Sequence, residues 1–355
     1  PLREITEQKL EQEAALFDSR KAWWYIPRSP LGGDGKASQG DAYYIAPNPP
    51  FGAVFTYYLK ESLKTQKEMR QEKEKKMAKE GRHQPYPGWE ALHRERTEPD
   101  PQILLTIKDH QGNVVRRLPG PTEKGLHRIA WNLRYPSPEL PDDQEGYIIE
   151  DDNGPLVVPG TYQVSLSRQV RGETTLLAGP AEFKVERLRE GALAGNPPEE
   201  AVKFWRRITE LQRSVSAAGE VVEGLKKHAG ELERALKASH SAPDGLDQEL
   251  YGITQTLYDL DAELNGQRDK MPVNEPARPT VRTRLRAAQT GTQHSTYGPT
   301  PNLEKTLRIA EEQFGELRQK LNQLKHKRIP AFRDKLIEAG APWIPGQEIP
   351  GLNDE

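Results

Sequence analysis

The sequence predicts a multidomain α+β protein, in which an antiparallel β-sandwich is followed by an antiparallel three- to four-helix bundle and preceded by an extended aromatic arm. Three observations lead to this fold class. Residues 1–58 contain clusters of aromatic side chains with little regular pattern, residues 102–188 alternate apolar and polar side chains, and residues 199–340 place leucines three and four positions apart. Periods of two and of 3.6 residues are typical of strands and helices respectively.

Length and composition favour several elongated parts. A chain of 355 residues is long enough for two or three domains, and 34% hydrophobic against 29% charged residues leaves enough apolar material for modest cores only. The 51 basic side chains are interspersed with 53 acidic ones, which gives a formal net charge of −2. Because no basic field is present to attract phosphates, we expect no nucleic-acid partner.

The residue types and segments that the sequence lacks exclude further kinds of site and of membrane association. Without cysteine the chain has no disulfide, no thiolate metal site and no cysteine nucleophile. A run of about 18 apolar residues is also missing, so we expect no membrane span. The first twenty residues are charged and unlike a signal peptide. Since the chain opens at Pro1 without an initiator Met, we expect a processed or excised piece whose targeting signal lies upstream.

The N-terminal arm, residues 1–58, is predicted to be an interface. It begins with a short helical stretch from Ile5 to Leu16, and the segment from Pro27 to Gln39 is rich in Gly, Pro and Ser and therefore reads as a loop. So many large apolar groups must be covered by the rest of this chain or by a partner, and a platform for stacking sugars is the alternative. The candidate interface residues are Trp23, Trp24, Tyr25, Tyr43, Tyr44, Phe51, Phe55, Tyr57 and Tyr58.

Residues 59–101 are predicted to be a charged helix and a linker. From Leu59 to Gly81 the composition is dominated by strong helix formers, and Glu72 and Lys76 have the i,i+4 spacing of an exposed helix. The glutamates that alternate with the lysines indicate a solvated face and not a nucleic-acid site.

Residues 102–188 are predicted to form an immunoglobulin-like β-sandwich. Residues 103–107 and 114–118 form a hairpin around a turn at 109–113, and residues 126–133 alternate with Trp131 on the inward face. A Pro-Gly turn leads into a strand at 161–166, and two further strands follow at 174–177 and 181–185. Six or seven short strands with frequent turns are typical of such a sandwich.

After a linker at 189–198, residues 199–340 are predicted to form the helical bundle, followed by a tail at 341–355. Pro330 interrupts the last helix, and a kink there lets Phe332, Leu336 and Ile337 continue in a new direction. A shorter helix is predicted at 281–288. The three apolar stripes consist of Ile208, Leu211, Val215, Ala218, Val222, Leu225, Ala229, Leu232 and Leu236, then Leu246, Leu250, Ile253, Leu257, Leu260 and Leu264, and then Leu303, Leu307, Ala310, Phe314, Leu317, Leu321 and Leu324.

The sequence predicts no catalytic, cofactor-binding or metal-ligating residue. The eight histidines have no spacing that would place two zinc ligands on one face, and His127 is interpreted as an ordinary strand residue. The acidic segment 142–154 could hold calcium, but it lacks the ordered pattern of a calcium loop, and a solvated turn is favoured. Nucleophile-elbow, phosphate-loop and dinucleotide motifs are absent.

Four segments carry a resemblance to a known family. They are Ala46-Pro-Asn-Pro-Pro-Phe-Gly-Ala-Val-Phe-Thr-Tyr-Tyr-Leu-Lys60, Gly125-Leu-His-Arg-Ile-Ala-Trp-Asn-Leu-Arg-Tyr-Pro136, Gly154-Pro-Leu-Val-Val-Pro-Gly-Thr-Tyr162 and Gly340-Ala-Pro-Trp343. The chain resembles the C-terminal region of large exported bacterial proteins with BNR/sortilin-type β-propellers. Its sandwich segment is also similar to the Ig-like domain of flagellar hook-capping proteins.

The resemblance implies export to the periplasm, the cell surface or the medium. It also implies that residues 1–58 leave a propeller and lie against it. Such proteins are often labelled glycosyl hydrolases or sialidase-like because their propeller blades carry Ser-x-Asp-x-Gly-x-Thr-Trp boxes. No such box occurs in this sequence, so no catalytic residue is carried over, and any hydrolase activity would lie in a propeller outside this chain.

The preferred functional hypothesis is therefore a non-catalytic structural or interaction module that docks on a β-propeller domain or another subunit. One alternative is an accessory part of a glycan-cleaving enzyme, which would need two carboxylates in one cleft with raised pKa values. Another is a carbohydrate-binding module that uses Trp23, Trp24, Tyr43 and Tyr44, with a glycan as the partner.

Overall fold

The computed structural model describes residues 2–27, 46, 48–138, 154–191, 195–240, 244–267 and 278–349. The chain divides into two compact units. The first, the β unit, comprises Pro1–Ser137 and Ile149–Ala194. The second, the helical unit, comprises Pro138–Ile148 and Gly195–Glu355, so the boundary after Ala194 falls inside the segment predicted as a linker. The protein therefore mixes helices and strands, as the sequence predicts, with the two kinds of structure largely separated along the chain.

The strands of the β unit form two sheets within the described residues. The strands are β1 (Ala14–Leu16), β2 (Ala22–Trp24), β3 (Ala53–Leu59), β4 (Gln102–Asp109), β5 (Val114–Gly120), β6 (Gly125–Trp131), β7 (Gly160–Val170) and β8 (Glu173–Arg187). One sheet has the order β1-β3-β6, and the other, which curls into a half-barrel, has the order β2-β8-β7-β4-β5. Neighbouring strands are antiparallel except β2 and β8, which are parallel.

The predicted hairpin of β4 and β5 is present, and the side chains of β4 alternate between the core and the opposite face of the sheet. Ile103, Leu105 and Ile107 on β4 are fully buried, and the side chains between them point the other way. The turn is closed by Asp109, whose carboxylate accepts the backbone N–H groups of Gln111 and Asn113, each at 2.9 Å.

Aromatic side chains from the two sheets meet in the core of the β unit. Phe55 on β3 lies edge-on to Phe183 on β8, with ring centroids 5.2 Å apart. Trp131 on β6 contacts Tyr162 on β7 at 5.7 Å and is fully buried, which confirms its predicted inward orientation. Pairs of this geometry contribute beyond the apolar area that they bury.

Several element boundaries differ from the sequence predictions because strand pairing overrides local propensity. The helical stretch predicted from Ile5 to Leu16 is wrong beyond α1 (Glu7–Glu11), since Ala14–Leu16 pairs with β3. The two strands predicted at 174–177 and 181–185 are one strand, β8, which shifts register against β7 near Gly179.

Two helices lie between β3 and β4. The helix predicted from Leu59 starts later, because β3 continues to Leu59 and a capping box of Thr65 and Glu68 begins α2 (Gln66–Lys79). A second helix, α3 (Trp89–Thr97), occupies part of the predicted linker. Together with the connecting residues 80–88 they are called the α2–α3 hairpin below.

The helical unit contains α4 (Pro198–Lys237), α5 (Leu246–Asn265), α6 (Val281–Thr292), α7 (Pro301–Gln323) and α8 (Ile329–Glu338). The 40 residues of α4 span about 60 Å at about 1.5 Å per residue. The ion pair of Lys226 and Asp261, at 2.6 Å, joins α4 to α5. Arg207 on α4 binds both Glu304 and Glu311 on α7, at 2.8 and 2.9 Å.

The apolar stripes predicted for these helices are buried with two exceptions. Leu225 on α4 and Leu303 on α7 are half-buried, and all the other predicted stripe residues are buried. On α6, which continues to Thr292 and not to 288 as predicted, Val281, Leu285 and Ala288 are buried.

The predicted interruption at Pro330 takes the form of a π-helical turn at Leu324–Arg328, directly before α8. The turn explains an irregular spacing, since the buried residues Leu324 and Ile329 are five positions apart. A π turn accommodates one extra residue, and the buried face then resumes at Phe332 and Leu336, whereas Ile337 is exposed.

Candidate interaction surface

Trp24 is the most firmly held of the predicted interface residues. It lies on β2, which pairs with the end of β8, and its indole is almost fully buried. The indole Nε1 donates a hydrogen bond to the carbonyl of Val157 at 2.7 Å, and the Arg187 guanidinium lies 5.7 Å from the ring centroid. This side chain therefore belongs to the core of the β unit and is not available to a partner.

Phe55, Tyr57 and Tyr58 lie on β3, the central strand of the three-stranded sheet. Phe55 and Tyr57 are fully buried, and Tyr58 is half-buried. The Tyr57 hydroxyl donates to the carbonyl of Pro121 at 2.6 Å, and burial raises the pKa of the phenol above its ordinary value. The chain itself therefore shields these aromatic side chains from water, and they need no partner to do so.

Trp23, Tyr25 and Phe51 remain at the rim of the β unit. Trp23 points to the opposite face of β2 from Trp24 and is 40% exposed, with the Lys21 ammonium 4.4 Å from its ring centroid. Tyr25 is 37% exposed and meets Phe51 edge-on at 4.9 Å. Among the described residues Trp23 and Tyr25 are thus the exposed members of the predicted interface, Phe51 is half-buried beside Tyr25, and Tyr43 and Tyr44 lie outside the described residues.

The most exposed aromatic pair was missed by the sequence prediction. Trp89, the first residue of α3, is 80% exposed, and Tyr86 just before it is 61% exposed. Their rings meet edge-on with centroids 5.6 Å apart. The signal in the sequence is Pro85-Tyr-Pro-Gly-Trp89, where two prolines and a glycine fix two aromatic residues in a tight connection.

Ion pairs hold the α2–α3 hairpin together. Arg70 on α2 donates from Nε and Nη2 to both carboxylate oxygens of Glu95 on α3, at 2.7 and 2.8 Å, and from Nη1 to Glu74 at 2.6 Å. This guanidinium keeps the pKa of Glu95 below its ordinary value. Neither helix has a buried residue. The geometry of the hairpin therefore depends on charge-assisted hydrogen bonds more than on an apolar core.

The base of the hairpin is tied to the β unit through Glu98. Its carboxylate accepts from Nε of Arg171, in the turn between β7 and β8, at 2.9 Å, and from the backbone N–H of Gln66 at 2.7 Å. The hydrogen bond from Arg171 is the main cause of the lowered pKa of Glu98. The exposed aromatic pair thus lies on a hairpin that is fixed at its base.

Two features of the sequence were weighed for chemistry, His127 and the acidic segment 142–154. His127 lies on β6 with Nε2 2.6 Å from the carbonyl oxygen of Glu123, in the connection between β5 and β6, and its ring centroid lies 5.1 Å from that of Tyr57. Within the described ranges no group of three or more His, Asp or Glu side chains could hold a metal ion. The acidic residues of the suggested calcium segment, Asp142 to Asp152, lie outside those ranges, so that suggestion stays untested.

Two cavities of the helical unit each contain an ion pair. One, of about 300 Å³, is lined by α5, α6 and α7 and includes the ion pair of Lys320 and Glu263 at 2.8 Å. The other, of about 380 Å³, includes Lys335 and Glu249 at 2.7 Å. Each cavity thus combines an ion pair with further carboxylates, Glu316 in the first and Asp244 and Glu338 in the second.

Across the described residues no helix combines the length and the apolar composition that a bilayer span requires. Comparison of the chain with models of protein families, with curated proteins and with solved structures gives no match in any of the three.

Proposed function

We propose that this chain is a non-catalytic structural and interaction module of a larger exported bacterial protein, and that it docks on a β-propeller domain or another subunit. The observation that carries this proposal is the placement of aromatic side chains. Trp23 on β2, Tyr25 directly after β2 and Trp89 on α3 are exposed, while carboxylates such as Glu95 and Glu263 are engaged in ion pairs. Exposed aromatic residues on a fixed framework are typical of binding surfaces.

We further propose that the β unit is an Ig-like sandwich. The sheet orders β1-β3-β6 and β2-β8-β7-β4-β5 correspond to strands A-B-E and A′-G-F-C-C′ of that fold. Tyr162, near the start of β7, donates its hydroxyl proton to the carbonyl of Val158 at 2.5 Å, which corresponds to the tyrosine corner at the start of strand F. The aromatic contacts between the sheets support the same assignment.

We also propose that the helical unit is an antiparallel three- to four-helix bundle. Lys226 on α4 pairs with Asp261, and Gly219 lies close to Leu264, so α5 runs antiparallel to α4. In the same way Lys320 pairs with Glu263 and Lys335 with Glu249, so α7 and α8 run antiparallel to α5. Helices with facing apolar stripes pack most readily in this manner.

The docking proposal is tested on the native protein. Mass spectrometry of its N-terminus and of the particle that it purifies in is expected to reveal a propeller domain or a second subunit in stoichiometric amount. Recovery of the chain as a free monomer from its native compartment would contradict the proposal.

A carbohydrate-binding module is the second candidate, because the indole of Trp23 is 40% exposed and exposed indoles stack on sugars. Calorimetric titration with glycans, before and after Trp23→Ala, tests it. Trp24→Ala is not suitable, because that side chain is in the core. Glycan binding that is lost in the Trp23 variant would favour this candidate over protein docking.

A further inference from the structure

We propose that Trp89 and Tyr86 are the anchor through which the α2–α3 hairpin binds an acidic surface of a protein partner. The inference rests on the proposed function as an interaction module and adds where the contact is made and which chemistry the partner presents. Three properties of the hairpin lead to it: the exposed aromatic pair, the rigid support and the surplus of cations.

The exposed aromatic pair belongs to neither core. Met69 on α2, like Trp89 and Tyr86, is largely exposed, and neither helix contributes a buried side chain to the β unit. Apolar area that stays in contact with water stabilises nothing until another surface covers it. Trp, Tyr, Met and Arg are the residue types enriched at the centres of protein interfaces.

The support of the pair is fixed before any partner binds. Arg70 joins the two helices through Glu95, Glu98 joins the base to Arg171, and the Gln84 side-chain amide donates to the carbonyl of Glu74 at 3.0 Å. The connection that carries Tyr86 is thereby folded back on α2. A rigid anchor loses little conformational entropy on binding, which favours affinity.

The charge around the pair selects an acidic partner. From Lys73 to Arg96 the hairpin carries seven Lys and Arg against four Glu. Two of these glutamates, Glu74 and Glu95, are occupied by Arg70, and a third, Glu80, lies 3.3 Å from Arg82, so the positive charge that faces a partner comes mainly from the exposed lysines of α2. The exposed cations are Lys73, Lys75, Lys76, Lys79, Arg82, Arg94 and Arg96. Complementary charge at the rim of an interface steers association and excludes wrong partners.

Other occupants fit the hairpin less well than a protein does. An anionic membrane would require a helix with an apolar face, and α2 is polar on all sides. A nucleic acid would require a continuous cationic track, which the interspersed glutamates interrupt. A sugar would require several free polar groups beside the indole, but the amide of Gln84 and Nε of Arg94 are engaged with backbone carbonyls of Glu74 and Glu90.

The test uses the full chain and a phage-displayed library of random peptides. Selected peptides are expected to combine Asp or Glu with a large apolar residue. A chemically synthesised version of a selected peptide is expected to bind the chain less tightly as the salt concentration rises. Trp89→Ala is expected to weaken binding of that peptide by about tenfold or more, and Trp89→Phe by less. Lys76→Glu together with Lys79→Glu is expected to weaken it as well.

Trp343→Ala removes another exposed indole, and Lys203→Glu together with Lys305→Glu reverses two other exposed lysines, so both serve as matched controls with unchanged binding expected. Near-UV circular dichroism checks that each variant is folded. The proposal is overturned if no acidic peptide is selected, if Trp89→Ala binds as the wild type does, or if vesicles of phosphatidylglycerol bind in a Trp89-dependent manner while peptides do not. A native particle that keeps its partner after Trp89→Ala would exclude this anchor and leave the docking function standing.

Discussion

At the scale of single residues, two tyrosines of the β unit have buried hydroxyl groups that are hydrogen-bonded. Tyr57 and Tyr162 are almost wholly removed from water, and each hydroxyl donates to a backbone carbonyl, of Pro121 and of Val158. Burial raises the pKa of both phenols because the charged phenolate would lose its hydration. Each residue is thus held in its neutral, hydrogen-bonded form.

Alkaline pH is expected to destabilise the β unit through these tyrosines. Below the ordinary tyrosine pKa of about 10 both states keep the proton, so the free energy of unfolding does not depend on it. Above that pH the unfolded chain releases the proton and the folded chain does not, so stability falls by at most about 1.4 kcal/mol per pH unit for each tyrosine. Urea unfolding at a series of pH values measures this slope. A slope that is unchanged in Tyr57→Phe with Tyr162→Phe would contradict the assignment.

Tyr162→Phe is also expected to act at neutral pH. The substitution removes the hydrogen bond to the Val158 carbonyl and leaves that acceptor without its donor, at a cost of about 1 to 2 kcal/mol in the free energy of unfolding. The matched control is Tyr58→Phe on the other sheet, since no hydrogen bond of the Tyr58 hydroxyl is seen among the described residues. Chemical denaturation of the two variants compares them, and equal losses would argue against a special role for Tyr162.

At the scale of elements, what the sequence could predict depended on whether the signal was local. The helical stripes and Trp131 were predictable, because periodicity states which side of an element is apolar. The burial of Trp24 and Tyr57 was not, because their cover comes from Val157 and Pro121, far along the chain. The exposure of Trp89 was only half predictable, because Pro85-Tyr-Pro-Gly-Trp89 indicates a tight connection with two aromatic residues but does not show whether another part of the chain covers them.

The π turn at Leu324–Arg328 gives a prediction about a whole element. Deletion of His326 places Leu324 and Ile329 four positions apart, which a regular α-helix accommodates, provided that Pro330→Ala removes the ring that would clash with the preceding turn. The combined variant is expected to change the free energy of unfolding of the helical unit by less than about 1 kcal/mol. Thermal or urea unfolding followed by far-UV circular dichroism measures it.

Deletion of the exposed Glu316 in the middle of α7 is the control for this prediction. It turns Phe314 and the preceding residues by about 100° relative to Leu317, so several core side chains leave the apolar face. A loss of more than about 3 kcal/mol is expected. If the deletion at His326 were as damaging as this one, the π turn would have a role other than absorbing an extra residue.

At the scale of the whole molecule, the chain has two cores that are built on different principles. The core of the β unit consists largely of aromatic contacts between two sheets. The core of the helical unit consists of leucine stripes with a regular spacing in the sequence. Each unit has its own set of fully buried residues, for example Phe55 in the first and Leu257 in the second. Units with separate cores are expected to lose their structure in separate cooperative steps.

This expectation is tested by hydrogen exchange of the full chain, measured by mass spectrometry in moderate urea. Leu257→Ala removes a buried side chain and is expected to cost about 2 to 5 kcal/mol, which accelerates exchange in α4 to α8 and leaves β4 to β8 as in the wild type. Phe55→Ala is expected to cost about 3 to 5 kcal/mol and to have the converse effect. Because local stability is set by the core that each peptide belongs to, acceleration of both units by either variant would mean that they unfold as one body.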